Sequence, residues 1–168
     1  SNLAAGDFWF GHYQRLGLYS TALRADRPET RRWAIRKVTD LATPVLHDAV
    51  GVVATLLDDP DESVRADAIA GLGYVGRRMR LSVATLERET GTAGRWEPGT
   101  LARVQELLGP PEDRIPRTTG LVRRAWMSAA GALGRPEAVG TLADIVVDPS
   151  STREDVVAAV TALADLSG

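Results

Sequence analysis

Apolar residues recur every three to four positions through most of this chain, and the runs are cut by short turns rich in Asp, Gly and Pro. The stretch Asp58–Gly76, DDPDESVRADAIAGLGYVG, shows the pattern most clearly. Asp59-Pro60 ends one helix, and Asp61, Glu62 and Ser63 supply capping groups and negative charge to the next. Val64, Ala68, Ile69, Leu72 and Val75 then fall at helical spacing, with small Ala66 and Ala70 between them.

The other segments follow this one. A first helix is predicted over Leu3–Leu23, carrying Phe8, Trp9, Phe10, Tyr13, Leu16 and Tyr19. Such an aromatic helix suits the capped end of a helical stack, or contact with a neighbouring domain. A second stop-and-cap signal, Asp26 to Thr30, opens a helix to about Ala42 with Ala34, Ile35, Val38 and Leu41 on one side. Pro44 breaks the chain, and Val45–Leu57 is an amphipathic helix.

Arg77–Thr90 either prolongs the Asp58–Gly76 helix or forms one of its own. Gly91–Gly99 reads as a loop, Leu101–Leu108 as a helix ended by Gly109-Pro110-Pro111, and Arg114–Thr119 as an irregular link. Helices are expected over Leu121–Leu133, Ala138–Val147 and Asp155–Leu166, with Asp148-Pro149 repeating the stop signal. No alternating strand pattern occurs.

Leu72 lies 34 residues after Val38, Leu133 lies 61 after Leu72, and Leu163 lies 30 after Leu133. Helix pairs recurring at about 30 to 47 residues mean stacked α-solenoid units, because no single unit buries its apolar face alone. The stretch LLDDPDESVRADAIAGLG resembles the HEAT repeat, in particular the short bacterial HEAT-like (PBS-lyase-type) form also found in bilin-lyase subunits. The resemblance rests on Leu56, Leu57, Asp59, Pro60, Val64, Arg65, Ala68, Ile69, Leu72 and Gly73. RPEAVGTLADIVVDPSSTREDVVAAVTALADL is similar, although Val156 stands at its arginine position.

The resemblance covers residues 28–76 and 118–166 well and 77–117 poorly. It implies a turn aspartate and an early arginine bonded between neighbouring units, a role open to Asp59 with Arg65 and to Asp26 with Arg31. It also implies scaffolding and protein binding. The expected fold is all-α: a right-handed α-solenoid of about four helix pairs, one domain over residues 1–168 with an irregular insertion near 77–117.

Composition changes this picture little. The 168 residues are 44% hydrophobic and 25% charged, with aromatics at 5%, which favours close-packed helices over a β-sandwich. Net charge is −2, so no bulk attraction to nucleic acid or anionic lipid is expected. Lys37 is the one lysine among 20 basic residues, a sign of a GC-rich genome. There are no cysteines, no apolar run long enough to span a bilayer and no visible secretory signal, so a cytoplasmic protein without membrane contact is expected. Ser1-Asn2 is compatible with a tag-removal scar, and the chain with a piece of a longer protein.

Candidate chemistry is sparse. Gly71-Leu72-Gly73-Tyr74-Val75-Gly76 fits the dinucleotide fingerprint GxGxxG, but a capped, alanine-rich helix precedes it where a strand is needed. The reading preferred is small residues where helices approach closely. Arginines cluster on or beside the second helices: Arg31, Arg32 and Arg36 with Lys37; Arg77, Arg78 and Arg80; Arg123 and Arg124. A basic strip made of them would suit phosphate backbones, as in HEAT-like DNA glycosylases, with Trp33 and Trp126 near enough to stack on bases. The plainer reading pairs these arginines with neighbouring carboxylates.

His47-Asp48 lacks the further ligands of a metal site, and Asp58, Asp59, Asp61 and Glu62 lack the spacing of a calcium loop. Trp96 is either a partner contact or a cover over an apolar gap. The function expected is a non-catalytic protein-interaction module that needs no cofactor or metal. Its candidate contacts are Arg32, Arg36, Arg65, Arg123, Arg124 and Trp96. A nucleic-acid-binding solenoid is the alternative, and a subunit assisting cofactor attachment, by analogy with bilin lyases, the third.

Overall fold

The computed structural model describes residues 2–92 and 94–168, with the backbone alone for residues 2–9. The long helices are α1 (Asn2–Ala22), α2 (Pro28–Thr39), α3 (Thr43–Ala54), α4 (Glu62–Thr90), α5 (Glu97–Leu108), α7 (Gly120–Ala132), α8 (Val139–Val147) and α9 (Arg153–Ser167), with a single turn α6 (Pro111–Arg114) between α5 and α7. Short 3-10 turns follow α3 and α6 and precede α8. Among the described residues no strand forms. The fold is all-α.

The helix boundaries follow local chemistry. Asp61 caps α4, its Oδ1 accepting from the Val64 N–H at 3.1 Å, and the Thr152 hydroxyl caps α9 by accepting from Asp155 N–H at 3.1 Å. Pro stands at the first or second position of α2, α3 and α5, where its missing N–H removes no helical bond. Gly91, at φ 72°, ends α4 in the left-handed conformation that costs glycine little.

Two alternatives are thereby decided. Arg77–Thr90 prolongs the helix that starts at Glu62, giving α4 29 residues. The expected loop over Gly91–Gly99 is shorter, because α5 already begins at Glu97. The irregular region 77–117 is thus mostly helical, and Arg114–Thr119 contains the end of α6 and a 3-10 turn at Ile115–Arg117. Ala93, in the expected loop, and the side chains of Phe8 and Trp9, among the aromatics of the predicted first helix, lie outside the described residues.

Alternate helices pack together. α2 lies against α4, α4 against α7, and α7 against α9. In the other set α1 contacts α3 and α3 contacts α5, while α8 packs on α9. The core between them is aliphatic, built on Leu46, Ile69, Leu72, Met79, Leu108, Met127 and Leu142, all wholly or almost wholly buried. No described helix is long and apolar enough to cross a membrane.

Candidate interaction surface

Most of the arginines predicted as contacts are spoken for within the chain. Arg31 reaches from α2 to the turn before α4, its Nε and Nη2 donating to the two carboxylate oxygens of Asp59 at 2.9 Å each. Its Nη1 donates to the carbonyls of Ala25 and Asp26 at 2.8 Å. Asp59 is buried, and its Oδ1 also accepts from the Asp61 N–H at 2.9 Å. The hydrogen bonds to the Asp59 carboxylate raise the pKa of Arg31.

Arg65 repeats half of this arrangement 34 residues on. Its Nη1 donates to the carbonyls of Asp59 at 2.8 Å and Pro60 at 3.3 Å, six and five residues back, as Arg31 does to Ala25 and Asp26. The Asp59 carboxylate itself belongs to Arg31, and the Asp26 contact to Arg31 is made by the backbone carbonyl.

Arg32 donates to Asp67 Oδ2 at 2.9 Å, and Arg36 touches the same oxygen at 3.5 Å with its guanidinium largely in solvent. Arg123 and Arg124 of α7 each donate to Asp155 of α9 at 3.2 Å. Arg77 approaches Asp165 at 3.5 Å, while Arg78 and Arg80 donate to the backbone carbonyls of Thr39 at 2.7 Å and Ala132 at 3.4 Å. These partners are 31 to 88 residues away in sequence, so proximity along the chain did not reveal them.

The aromatic residues divide. Trp126 is buried, with the Arg114 guanidinium 5.5 Å from its ring centre, and is closed to stacking on a base. Trp33 stays 40% exposed, edge-on to Tyr19 at 5.6 Å with Lys37 above it at 5.9 Å. Trp96 is also partly exposed, 6.3 Å from the His47 ring and 4.9 Å from the Arg95 guanidinium. His47 Nδ1 lies 3.2 Å from the buried Thr100 hydroxyl, which ties α3 to α5. Asp48, beside it, accepts from Tyr13 at 3.0 Å.

The glycines of the GxGxxG string fall inside α4 as close-approach points. A Cβ on Gly73 would come within 3.0 Å of Ala129 Cα, and one on Gly76 would strike Leu133. Gly71 faces the other way, toward Ile35 and Thr39 of α2 at 3.1 Å. Gly73 and Gly76 close the α4–α7 junction, and Gly71 helps leave a groove over the α2–α4 junction.

That groove, about 340 Å³, is floored by Ile35, Thr39, Ala70 and Gly71 and rimmed by Arg36, Asp40, Asp67 and Tyr74. Tyr74, 45% exposed, donates to Asp40 Oδ1 at 3.3 Å and has the Arg78 guanidinium 5.8 Å from its ring. An apolar floor with a mixed-charge rim and a half-exposed tyrosine is suited to receiving a side chain from outside. Sequence reasoning passed over Tyr74 because it sat inside the glycine string. Its position one turn after Ala70 was the available signal.

Among the described residues no group of three or more His, Cys, Asp or Glu stands close enough to hold a metal ion. No protein-family model matches the chain, and comparison with curated proteins finds no similar sequence.

Proposed function

We propose that this chain is a non-catalytic protein-binding module, a short right-handed α-solenoid of about four HEAT-like helix pairs that presents its second helices α2, α4, α7 and α9 to a partner. Two features support the solenoid reading. Second helices contact second helices in chain order, and the hydrogen bonds of Arg31 and Arg65 repeat with a 34-residue offset. The observation that carries the binding reading is the α2–α4 groove, open between Arg36 and Tyr74, with Trp33 one turn before Arg36. Half-exposed Trp and Tyr beside paired charges are the residue types that anchor protein interfaces.

The nucleic-acid alternative is weakened by the same geometry. Arg32, Arg36, Arg123 and Arg124 each face an aspartate, which cancels much of the charge a phosphate backbone would use. A photo-crosslinking amino acid at position 74 tests the reading in native extract. A discrete heavier adduct is expected at 74 and none at exposed Glu106 of α5. Equal labelling at both positions, or none, overturns it. Duplex DNA that binds with strong salt dependence would put the alternative in its place.

A further inference from the structure

The floor of the α2–α4 groove offers a guest nothing polar. Thr39 turns its hydroxyl back to the Ile35 carbonyl at 3.0 Å, and its methyl group lies toward Gly71, beside a methyl of Ile35. Ala70 and the bare backbone of Gly71 complete the floor. At about 340 Å³ the groove stands near the lower end of the roughly 300–1,000 Å³ of small-molecule sites. One bulky apolar side chain suits it better than a polar metabolite does.

The rim is unequal in charge. At one end Asp67 Oδ2 accepts from Arg32 at 2.9 Å, and Arg36 reaches the same oxygen only at 3.5 Å. Two guanidinium groups thus share one carboxylate, and the Arg36 side chain is left 61% exposed. Lys37, the next residue, lies over Trp33 and pairs with no carboxylate among the described residues.

At the other end the charge is answered within the chain. Asp40 accepts from the Tyr74 hydroxyl at 3.3 Å. Arg78 donates to the carbonyls of Thr39 at 2.7 Å and Leu41 at 3.4 Å, on either side of Asp40, and its guanidinium stands beside the Tyr74 ring. The unanswered charge at the groove is therefore positive, and it lies at the Arg36 end.

We infer, taking this groove as the binding surface proposed above, that its occupant is an acidic segment of a partner protein. One bulky apolar side chain enters over Ala70 and Gly71, and carboxylates at neighbouring positions meet Arg36 and Lys37. Trp33, 40% exposed beneath Lys37, gives the segment an apolar surface to lie along. A basic segment would set like charges against Arg36 and Lys37. A nucleic acid strand would find the two cations and Trp33, but the methyl-lined floor leaves the polar edges of a base unpaired.

Random dodecapeptides displayed on phage and selected on the intact protein test this without a known partner. The enriched peptides, synthesised and labelled, are then titrated against the protein and its variants. They should carry an apolar residue flanked by Asp or Glu. Joint Arg36→Gln and Lys37→Gln should weaken them at least about tenfold, and Ala70→Gln, which puts a polar group on the floor, by a similar factor. All three positions are at least partly exposed, so thermal melts should match the parent and separate lost binding from lost folding. Enriched peptides with no excess of acidic residues overturn the inference, as do peptides that bind both variants as well as the parent, or no enrichment over a bare support. A labelled oligothymidylate that displaces the peptides and depends equally on Arg36 and Lys37 overturns it in favour of a nucleic acid. Crosslinking from position 74 in extract reads the binding module itself, so a wrong occupant and a wrong surface give different results.

Discussion

At the α2–α4 junction Arg31, Arg32, Arg36 and Arg78 all reach across to the neighbouring helix or its turn. At the α4–α7 junction a single arginine, Arg80, makes a backbone contact, and Gly73 against Ala129 brings the two helices to 3.0 Å of a would-be Cβ. The same helix is thus fixed on one side by directional charge pairs and on the other by close van der Waals packing. Charge pairs hold a register while leaving room between backbones, which is why the groove lies over α2–α4. Close packing needs glycine and alanine and leaves no groove behind.

The contrast can be broken at its most buried point. Arg31→Met leaves the Asp59 carboxylate buried beside only the Asp61 N–H, and should cost about 3 kcal/mol in chemical denaturation. A loss under about 1 kcal/mol would mean that the junction is held by its apolar contacts instead. Gly73→Val attacks the other side, where the added methyl groups meet the Ala129 backbone, and should cost about 2 kcal/mol. Together the two define whether charge or packing dominates around α4.

A smaller effect, with its own pH signature, is expected from Arg135→Met. Burial acts to raise the pKa of Glu112, and hydrogen bonds from Arg135 and its own backbone N–H outweigh it, holding the carboxyl below its ordinary 4.5. The stability carried by the ionised carboxylate is therefore present above about pH 4.5 and lost as pH falls through the lowered folded value. The variant should be about 1.5 kcal/mol less stable at pH 7, with the gap to the parent narrowing below pH 4.5 in melts across the pH series. A gap that is constant with pH would assign the loss to packing. Smallest of all, Arg36→Ala should change stability by less than about 0.5 kcal/mol, because its guanidinium is mostly in water.

The legible parts of the chain were those whose signals are local. Asp61 announced α4 because an N-cap is read within four residues, and the Gly71–Gly76 spacing announced close approach. The start of α5 was hidden because Trp96 caps it without a side-chain hydrogen bond and Pro98-Gly99 reads as a turn. Pro98 at the second position was the sign of a helix beginning. Arg77–Thr90 was ambiguous because it holds neither a breaker nor a strong apolar stripe until Gly91. The pairing of Arg32 with Asp67 and of Arg123 and Arg124 with Asp155 was hidden for another reason. It depends on which helices become neighbours, and that is settled by packing over the whole length of the chain.

The length of α4 has a mechanical consequence. At 29 residues it extends roughly 44 Å, and it touches α2, α3, α5 and α7 in turn. It acts as a keel laid through the centre of the hull. The flanking helices cannot peel away one at a time without exposing a length of this rod, so the middle of the molecule offers no seam at which unravelling could begin.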